Sequence, residues 1–162
     1  MKLTLNVGCG NRTYTEYPDG YKCINYDIRS ELKNVDVVGD VQDLSIYSNE
    51  YFDYILASDI IEHFPISKTA NILKEWGRVL KKNGILEIRC PNLESICKAY
   101  INGRNDAKLT SWLLYGGQDY KFNFHYVGFD AEWIIKILNN HGFDVIEYKD
   151  VGTNMNIKSR KK

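Results

Sequence analysis

Three prolines in 162 residues, no CxxC pair, no long apolar run and no excess charge of either sign bound what this chain can be. With 21 basic and 21 acidic side chains its formal charge is zero, so the whole molecule cannot act as a basic glove for nucleic acid or an adhesive for anionic membranes. Any such partner would need a local patch. The most apolar window, residues 54–61, is interrupted by Asp59 and falls far short of the roughly 20 residues that cross a bilayer, so no membrane span is expected. The apolar stretch at the start is broken by Thr4, Asn6 and two glycines, and no export signal is visible. Cys9, Cys23, Cys90 and Cys97 lack the spacing of a zinc site or a disulfide framework. Reduced thiols in a cytoplasmic protein fit best, and no metal site is expected.

What is present is a 44% hydrophobic and 13% aromatic chain, enough for one compact domain over residues 1–162 with a radius of about 15 Å. Short apolar runs punctuated by glycine and aspartate recur along it. Leu3, Leu5 and Val7 stop at Gly8-Cys9-Gly10; residues 23–26 end at Asp27; residues 35–38 precede Gly39-Asp40; residues 52–57 end at Ser58-Asp59; residues 85–89 close at Cys90-Pro91. Continuous runs of this kind read as parallel strands covered by helices. Ser67 is a candidate N-cap for a helix through Lys82, stopped by Asn83-Gly84. Asn92 can cap a second helix, a third short helix holds Leu109, Trp112 and Leu113 before Gly116-Gly117, and Asp130 caps a fourth over 131–141. Residues 143–149 and 154–159 read as a closing hairpin. The expected fold is α/β: a three-layer, Rossmann-like sheet, mostly parallel, with a C-terminal antiparallel hairpin and a shortened first crossover helix. Residues 158–162 form a basic tail, read as a solvated end or as a phosphate-touching patch.

In open parallel sheets ligands bind beyond the carboxyl ends of the strands. That rule sets Gly8-Cys9-Gly10, Asp27, Asp40, Ser58-Asp59 and Pro91-Asn92 along one rim. Asp27, 17 residues after Gly10, stands where a ribose can offer it two hydroxyls. A nicotinamide fingerprint needs G-x-G-x-x-G opening a helix, but Thr13 holds the third glycine position and Tyr17-Pro18-Asp19-Gly20 leaves little room for one. Other residues carry two readings. Asp59-x-x-Glu62 has capping-box spacing, so both acids could serve helix-end amides. His63 reads as packing or catalytic; Trp76 and Trp133 read as packing. Tyr14, Tyr17 and Tyr21 either cover a ligand or coat the surface. His125 lies in an aromatic loop with Tyr120, Phe122, Phe124 and Tyr126, either bonded to backbone or poised to take a proton.

The segments LNVGCGN, NYDIR, GDVQDL, FDYILASDIIEHF, RVLKKNGILEIRCPN and NNHGFDVIE together resemble the successive motifs of class I S-adenosylmethionine (SAM)-dependent methyltransferases. LLYGGQ followed by HYVGFD resembles the small type 11-like methyltransferases encoded among polysaccharide and lipopolysaccharide biosynthesis genes. The resemblance implies SAM as cofactor, met by Asn6, Gly8, Cys9, Gly10, Asn11, Asp27, Ile28, Asp40, Val41, Ser58 and Asp59. Within that set it implies Gly8 and Gly10 at the methionine part, Asp27 on the ribose diol, Asp40 and the backbone of Val41 at the adenine, and Ser58 and Asp59 beside the sulfonium. Asn6 stands where the family usually has an acid, and Asn11 where a third glycine is frequent. Residues 91–128 are left to recognise an acceptor. No Asn-Pro-Pro-Tyr type motif follows the fourth run, which disfavours nucleobase amines and glutamine side chains. The expected reaction is O-methylation of a small-molecule or saccharide acceptor with His125 and Asp59 as catalytic residues. The alternatives are a SAM-binding partner subunit or sensor without activity, a nucleic-acid or protein methyltransferase and, furthest, a NAD-dependent dehydrogenase.

Overall fold

The computed structural model describes residues 1–162. Seven strands, β1 (Lys2–Val7), β2 (Tyr21–Asp27), β3 (Val37–Val38), β4 (Phe52–Ser58), β5 (Leu80–Pro91), β6 (Phe143–Val151) and β7 (Asn154–Lys161), form one sheet. Their order is β3-β2-β1-β4-β5-β7-β6. Strands β1 to β5 pair in parallel, and β7 runs antiparallel to both β5 and β6, as the closing hairpin predicts, but Lys158 to Lys161, expected as a basic tail, are the paired end of β7. Sequence order reverses direction between β1 and β4, so the crevice beyond Val7 and Ser58 is the topological switch point. Four helices follow the later strands: α1 (Ile66–Val79), α2 (Leu93–Ile101), α3 (Ala107–Tyr115) and α4 (Ala131–Asn140). None is long and apolar enough to cross a membrane.

Three of the four helix starts are written locally. Asn92 accepts from the amides of Glu94 and Ser95, Asp106 from Leu109 and Asp130 from Trp133. Helix α1 departs from the expectation at both ends. Pro65, not Ser67, holds the N-cap position and gives no side-chain cap, consistent with the fixed φ of proline at a helix entry. The helix stops at Val79 because Leu80 is extended and fully buried, pairing with Phe52. Asn83-Gly84 therefore belongs to a four-residue excursion inside β5, between the Phe52–Leu80 and Tyr54–Ile85 pairs, where Asn83 takes φ 62°.

One face of the sheet carries the apolar core. Leu5, Val7, Ile55, Ala57, Leu86, Ile88, Met155 and Ile157 alternate inward and join Ile72, Leu73, Trp76 and Val79 of α1 and Ile134 and Leu138 of α4 in one buried cluster. Trp76 is fully buried and satisfies its indole N–H on the Val41 carbonyl at 3.0 Å. Trp133, expected in the core, is 42% exposed and rests its ring 5.4 Å from that of Phe129.

The other face is polar where residues 8–20 cross it. The crossover from β1 to β2 contains no helix at all, not even the shortened one expected, so its backbone groups need partners from elsewhere. Strand side chains supply them. Asn6 Nδ2 donates to the Arg12 carbonyl at 2.8 Å; Asn25 donates to the Tyr14 carbonyl at 2.9 Å and accepts from the Tyr14 amide at 3.0 Å; Thr4 donates to the Tyr17 carbonyl. The Tyr17 hydroxyl then reaches the buried Glu87 at 2.7 Å, which also receives Tyr54 and, from the same strand, Arg89 at 2.9 Å. Tyr14 and Tyr17 thus cover the sheet where a crossover helix is missing.

Burial alone would raise the Glu87 pKa, but the hydroxyls of Tyr54 and Tyr17 and the Arg89 guanidinium outweigh it and hold the carboxyl below its usual 4.5. A folded-state pKa depressed in this way adds stability above the unfolded value and loses it as pH falls through the folded one. Thermal unfolding followed against pH is therefore expected to show a decline below about pH 4.5 that Glu87→Gln flattens, with a lower melting temperature for the variant at pH 7. An equally steep acid decline in the variant would assign it to another carboxylate.

Candidate active site

Strand β1 ends in a turn that only glycine fits. Gly8 has φ 64°, and a Cβ there would lie 2.6 Å from the Ile60 side chain. Gly10 has φ 54° and donates its amide to Asp27 Oδ2 at 2.8 Å, so the turn and the end of β2 are locked together. Burial, followed by the nearby Asp27 charge, pushes the Cys9 thiol up to about 12, so it is no nucleophile at neutral pH. The turn floors a cavity of about 910 Å³, within the size range of small-molecule sites.

Ten of the eleven residues that the resemblance implies for the cofactor line this cavity: Gly8, Cys9, Gly10, Asn11, Asp27, Ile28, Asp40, Val41, Ser58 and Asp59. Asn6 does not. It lies 2% exposed on the polar face, and its amide is taken by Arg12 and Asn25, because the helix-free crossover needs it there. The Asp27 carboxylate faces the cavity but already accepts from Arg29, through its amide at 3.0 Å and Nε at 3.1 Å. Burial works against ionisation of Asp27; the bonds from Arg29 and Gly10 overcome it and hold the pKa below 3.8. Asp40 is folded onto Gln42, whose amide it accepts at 2.9 Å.

At the end of β4, Asp59 sits at φ 54°, an uncommon conformation that an aspartate tolerates better than most residues. Its carboxylate is held from both sides, by Arg12 at 2.7 Å and by Asn154 of β7 at 2.9 Å, with Ser58 Oγ 3.2 Å away. The capping-box reading fails here. Ile60 occupies the cap position of the following 3-10 turn (Ile61–His63) without a side-chain bond, and neither Glu62 oxygen has any partner. Burial pushes the Glu62 pKa well above 4.5, with the Asp59 charge adding to it.

The far wall comes from the loop after α3. The Tyr126 amide donates to the Glu62 carbonyl at 2.8 Å and the His125 amide to the Tyr115 carbonyl at 3.1 Å, which sets the His125 ring 4.7 Å from that of His63. Each imidazole is oriented by Nδ1 on a backbone oxygen, Leu113 for His125 at 3.0 Å and Phe124 for His63 at 3.1 Å. Burial lowers both pKa values, and for His63 the neighbouring His125 lowers it further. Both therefore stay neutral at pH 7. Trp112, Tyr120, Phe122 and Tyr126 surround them as partly exposed aromatics.

Sequence reasoning singled out His125, which lines the cavity, left His63 and Glu62 undecided, and passed over Arg12 and Arg29. Arg12 directly follows GCGN and Arg29 stands two positions after Asp27, a placement that charge pairing with Asp59 and Asp27 makes intelligible. The Arg29 guanidinium also lies 4.8 Å from the Tyr120 ring, joining the β2 rim to the aromatic loop.

Residues 5–88 match the family whose description is a methyltransferase domain. No curated protein matches the chain. Among solved structures, the PH0226 protein of Pyrococcus horikoshii aligns at 20% identity over 98% of this chain and 81% of its own, with a TM-score of 0.70. The 1,6-didemethyltoxoflavin-N1-methyltransferase of Burkholderia thailandensis, solved with 1,6-didemethyltoxoflavin and S-adenosylhomocysteine bound, aligns at 16% identity over 99% and 71%, with a TM-score of 0.72. A SAM-dependent methyltransferase of Methanosarcina mazei aligns at 20% identity over 98% and 91%, with a TM-score of 0.69. These likenesses concern the fold, whereas the family match spans just over half of the sequence: the chain belongs to the methyltransferase domain family.

Proposed function

We propose that this protein binds SAM on the rim of Gly8, Gly10 and Asp27 and transfers its methyl group to a hydroxyl of a small molecule or saccharide in the cytoplasm. The observation that carries this reading is that the glycine turn, the Asp27 carboxylate and the histidine-lined wall open into one cavity at the switch point of the sheet. The family match and the S-adenosylhomocysteine in the Burkholderia enzyme support the choice of cofactor. The aromatic loop supports a ring-bearing or sugar acceptor, and the zero net charge speaks against a polyanion. Residues 91–128 serve as the acceptor wall, and the polysaccharide setting follows from the resemblance of LLYGGQ and HYVGFD.

SAM supplies a methyl carbon on a positively charged sulfur, a strong leaving group. The residues of this chain bind, align and manage the proton. Gly8 and Gly10 would let backbone approach the amino-acid part; Asp27, which already accepts from Arg29 and Gly10, would also accept from the ribose diol; Asp40 and Val41 would edge the adenine. Asp59, fixed by Arg12 and Asn154, places negative charge beside the sulfonium. SAM held there would supply the methyl carbon to the acceptor oxygen, with the carbon–sulfur electron pair leaving on sulfur. The hydroxyl proton passes to the neutral His125, whose Nδ1 bond to Leu113 leaves Nε2 as the accepting nitrogen.

Titration calorimetry with SAM is expected to show at least tenfold weaker binding for Asp27→Ala, and a smaller loss for Asp27→Asn, which keeps an oxygen for the Gly10 amide. Unchanged affinity in both would remove Asp27 from the site. Incubation with labelled SAM and a cell extract, with products identified by mass, is expected to yield one methylated small molecule or saccharide. With that acceptor, His125→Ala should lower turnover about 10²- to 10⁴-fold while SAM affinity stays within twofold. Normal turnover would exclude the imidazole from the proton step.

A further inference from the structure

On the acceptor side of the cavity three ligand-type side chains converge from two separate segments. Glu62 and His63 come from the 3-10 turn after β4, and His125 comes from the loop beyond α3. One candidate ligand atom from each lies within 4.8 Å of the other two. Glu62 is 1% exposed, and both of its oxygens lack a hydrogen-bond partner. A buried carboxylate left in that state is strongly unfavourable unless a proton or a cation accompanies it. No lysine or arginine pairs with it, and its acidic neighbour Asp59 is already satisfied by Arg12 and Asn154.

The imidazoles are arranged as metal ligands are. A ligating histidine ordinarily bonds its second ring nitrogen to a carbonyl or carboxylate, which fixes the tautomer and aims the other lone pair. Here Phe124 and Leu113 carbonyls hold the two Nδ1 atoms, and the rings stand at 82° to each other. Two imidazoles and one carboxylate suit ions such as Zn²⁺, Co²⁺ or Fe²⁺, and suit poorly the oxygen-seeking Mg²⁺ and Ca²⁺. Ligands about 2.0–2.2 Å from one ion stand roughly 3–4 Å apart, so the observed spacing closes with less than about 2 Å of side-chain movement.

We infer that Glu62, His63 and His125 form a binding site for one divalent transition-metal ion that faces the cavity. Three protein ligands leave a position open, and a hydroxyl-bearing acceptor fills it; this last step rests on the function proposed above. In that state His125 Nε2 holds the ion, and the coordinated hydroxyl, made more acidic by the ion, releases its proton to water instead of to the imidazole.

The test uses the untagged 162-residue chain, stripped with a chelator and dialysed. Calorimetry with Zn²⁺ and visible absorption with Co²⁺ are expected to show one equivalent bound, with d–d bands of a low-symmetry nitrogen and oxygen site. Glu62→Gln and His125→Ala, checked for folding by circular dichroism, should each weaken binding at least tenfold, whereas His141→Ala, which removes the one histidine outside the cluster, should not. No binding by the wild type, or binding lost in His141→Ala and retained in Glu62→Gln, overturns the site. SAM titration of the metal-free protein keeps the two readings apart: SAM binding without metal binding overturns the metal site alone, and metal binding without SAM binding overturns the proposed methyl transfer and leaves the metal site standing.

Discussion

The first crossover has no helix, and much of this molecule answers that single deficit. A segment that returns between parallel neighbours over a sheet must still place every buried amide and carbonyl on a partner. In a helix those partners are internal. Here Thr4, Asn6 and Asn25 stand in for them, reaching up from β1 and β2 to the backbone of Arg12, Tyr14 and Tyr17. The cost is a polar sheet face, made tolerable because Tyr17, Tyr54, Glu87 and Arg89 close a shared hydrogen-bond network over it. The same segment delivers Arg12 to Asp59 and sets the glycine turn against Asp27. Cover and cavity rim are one piece of chain.

That economy places opposite demands on the two sheet faces. The apolar face is an ordinary close-packed interior, where Trp76 and the alternating aliphatics of four strands meet α1 and α4. The rim above it is electrostatic, with Asp27 and Asp59 each clamped by an arginine and Glu62 left without a partner. Clamped and unclamped acids differ in consequence. The first two are fixed in direction by their arginines, whereas the third is the buried group most in need of a companion.

Much of the fold is legible in the sequence because its signals are local. Strand ends are marked by Gly8, Asp27 and Ser58-Asp59, and the caps Asn92 and Asp130 act as their side chains suggest. Where legibility fails, a distant contact decides. The stop signal at Asn83-Gly84 is real, but the demand of Leu80 for burial against Phe52 ends the helix earlier. Asn6 sits in a motif position, yet the bare backbone of residues 11–17 claims its amide. The spacing of Asp59 and Glu62 mimics a capping box, and only the observed turn shows that neither acid caps it. The meeting of His63 with His125, 62 positions on, follows from the Tyr126–Glu62 backbone bond and has no counterpart in spacing.

Helix α3 buries none of its side chains completely and is held chiefly by its Asp106 cap and its contacts with α2. The wall it leads into therefore contributes little to the cohesion of the sheet. A chain built this way is permissive: residues 107–124 can be exchanged, lengthened or recut to suit a new partner while the strands that carry Gly8, Asp27 and Asp59 fold as before, so long as the Tyr126–Glu62 backbone bond still returns His125 to His63.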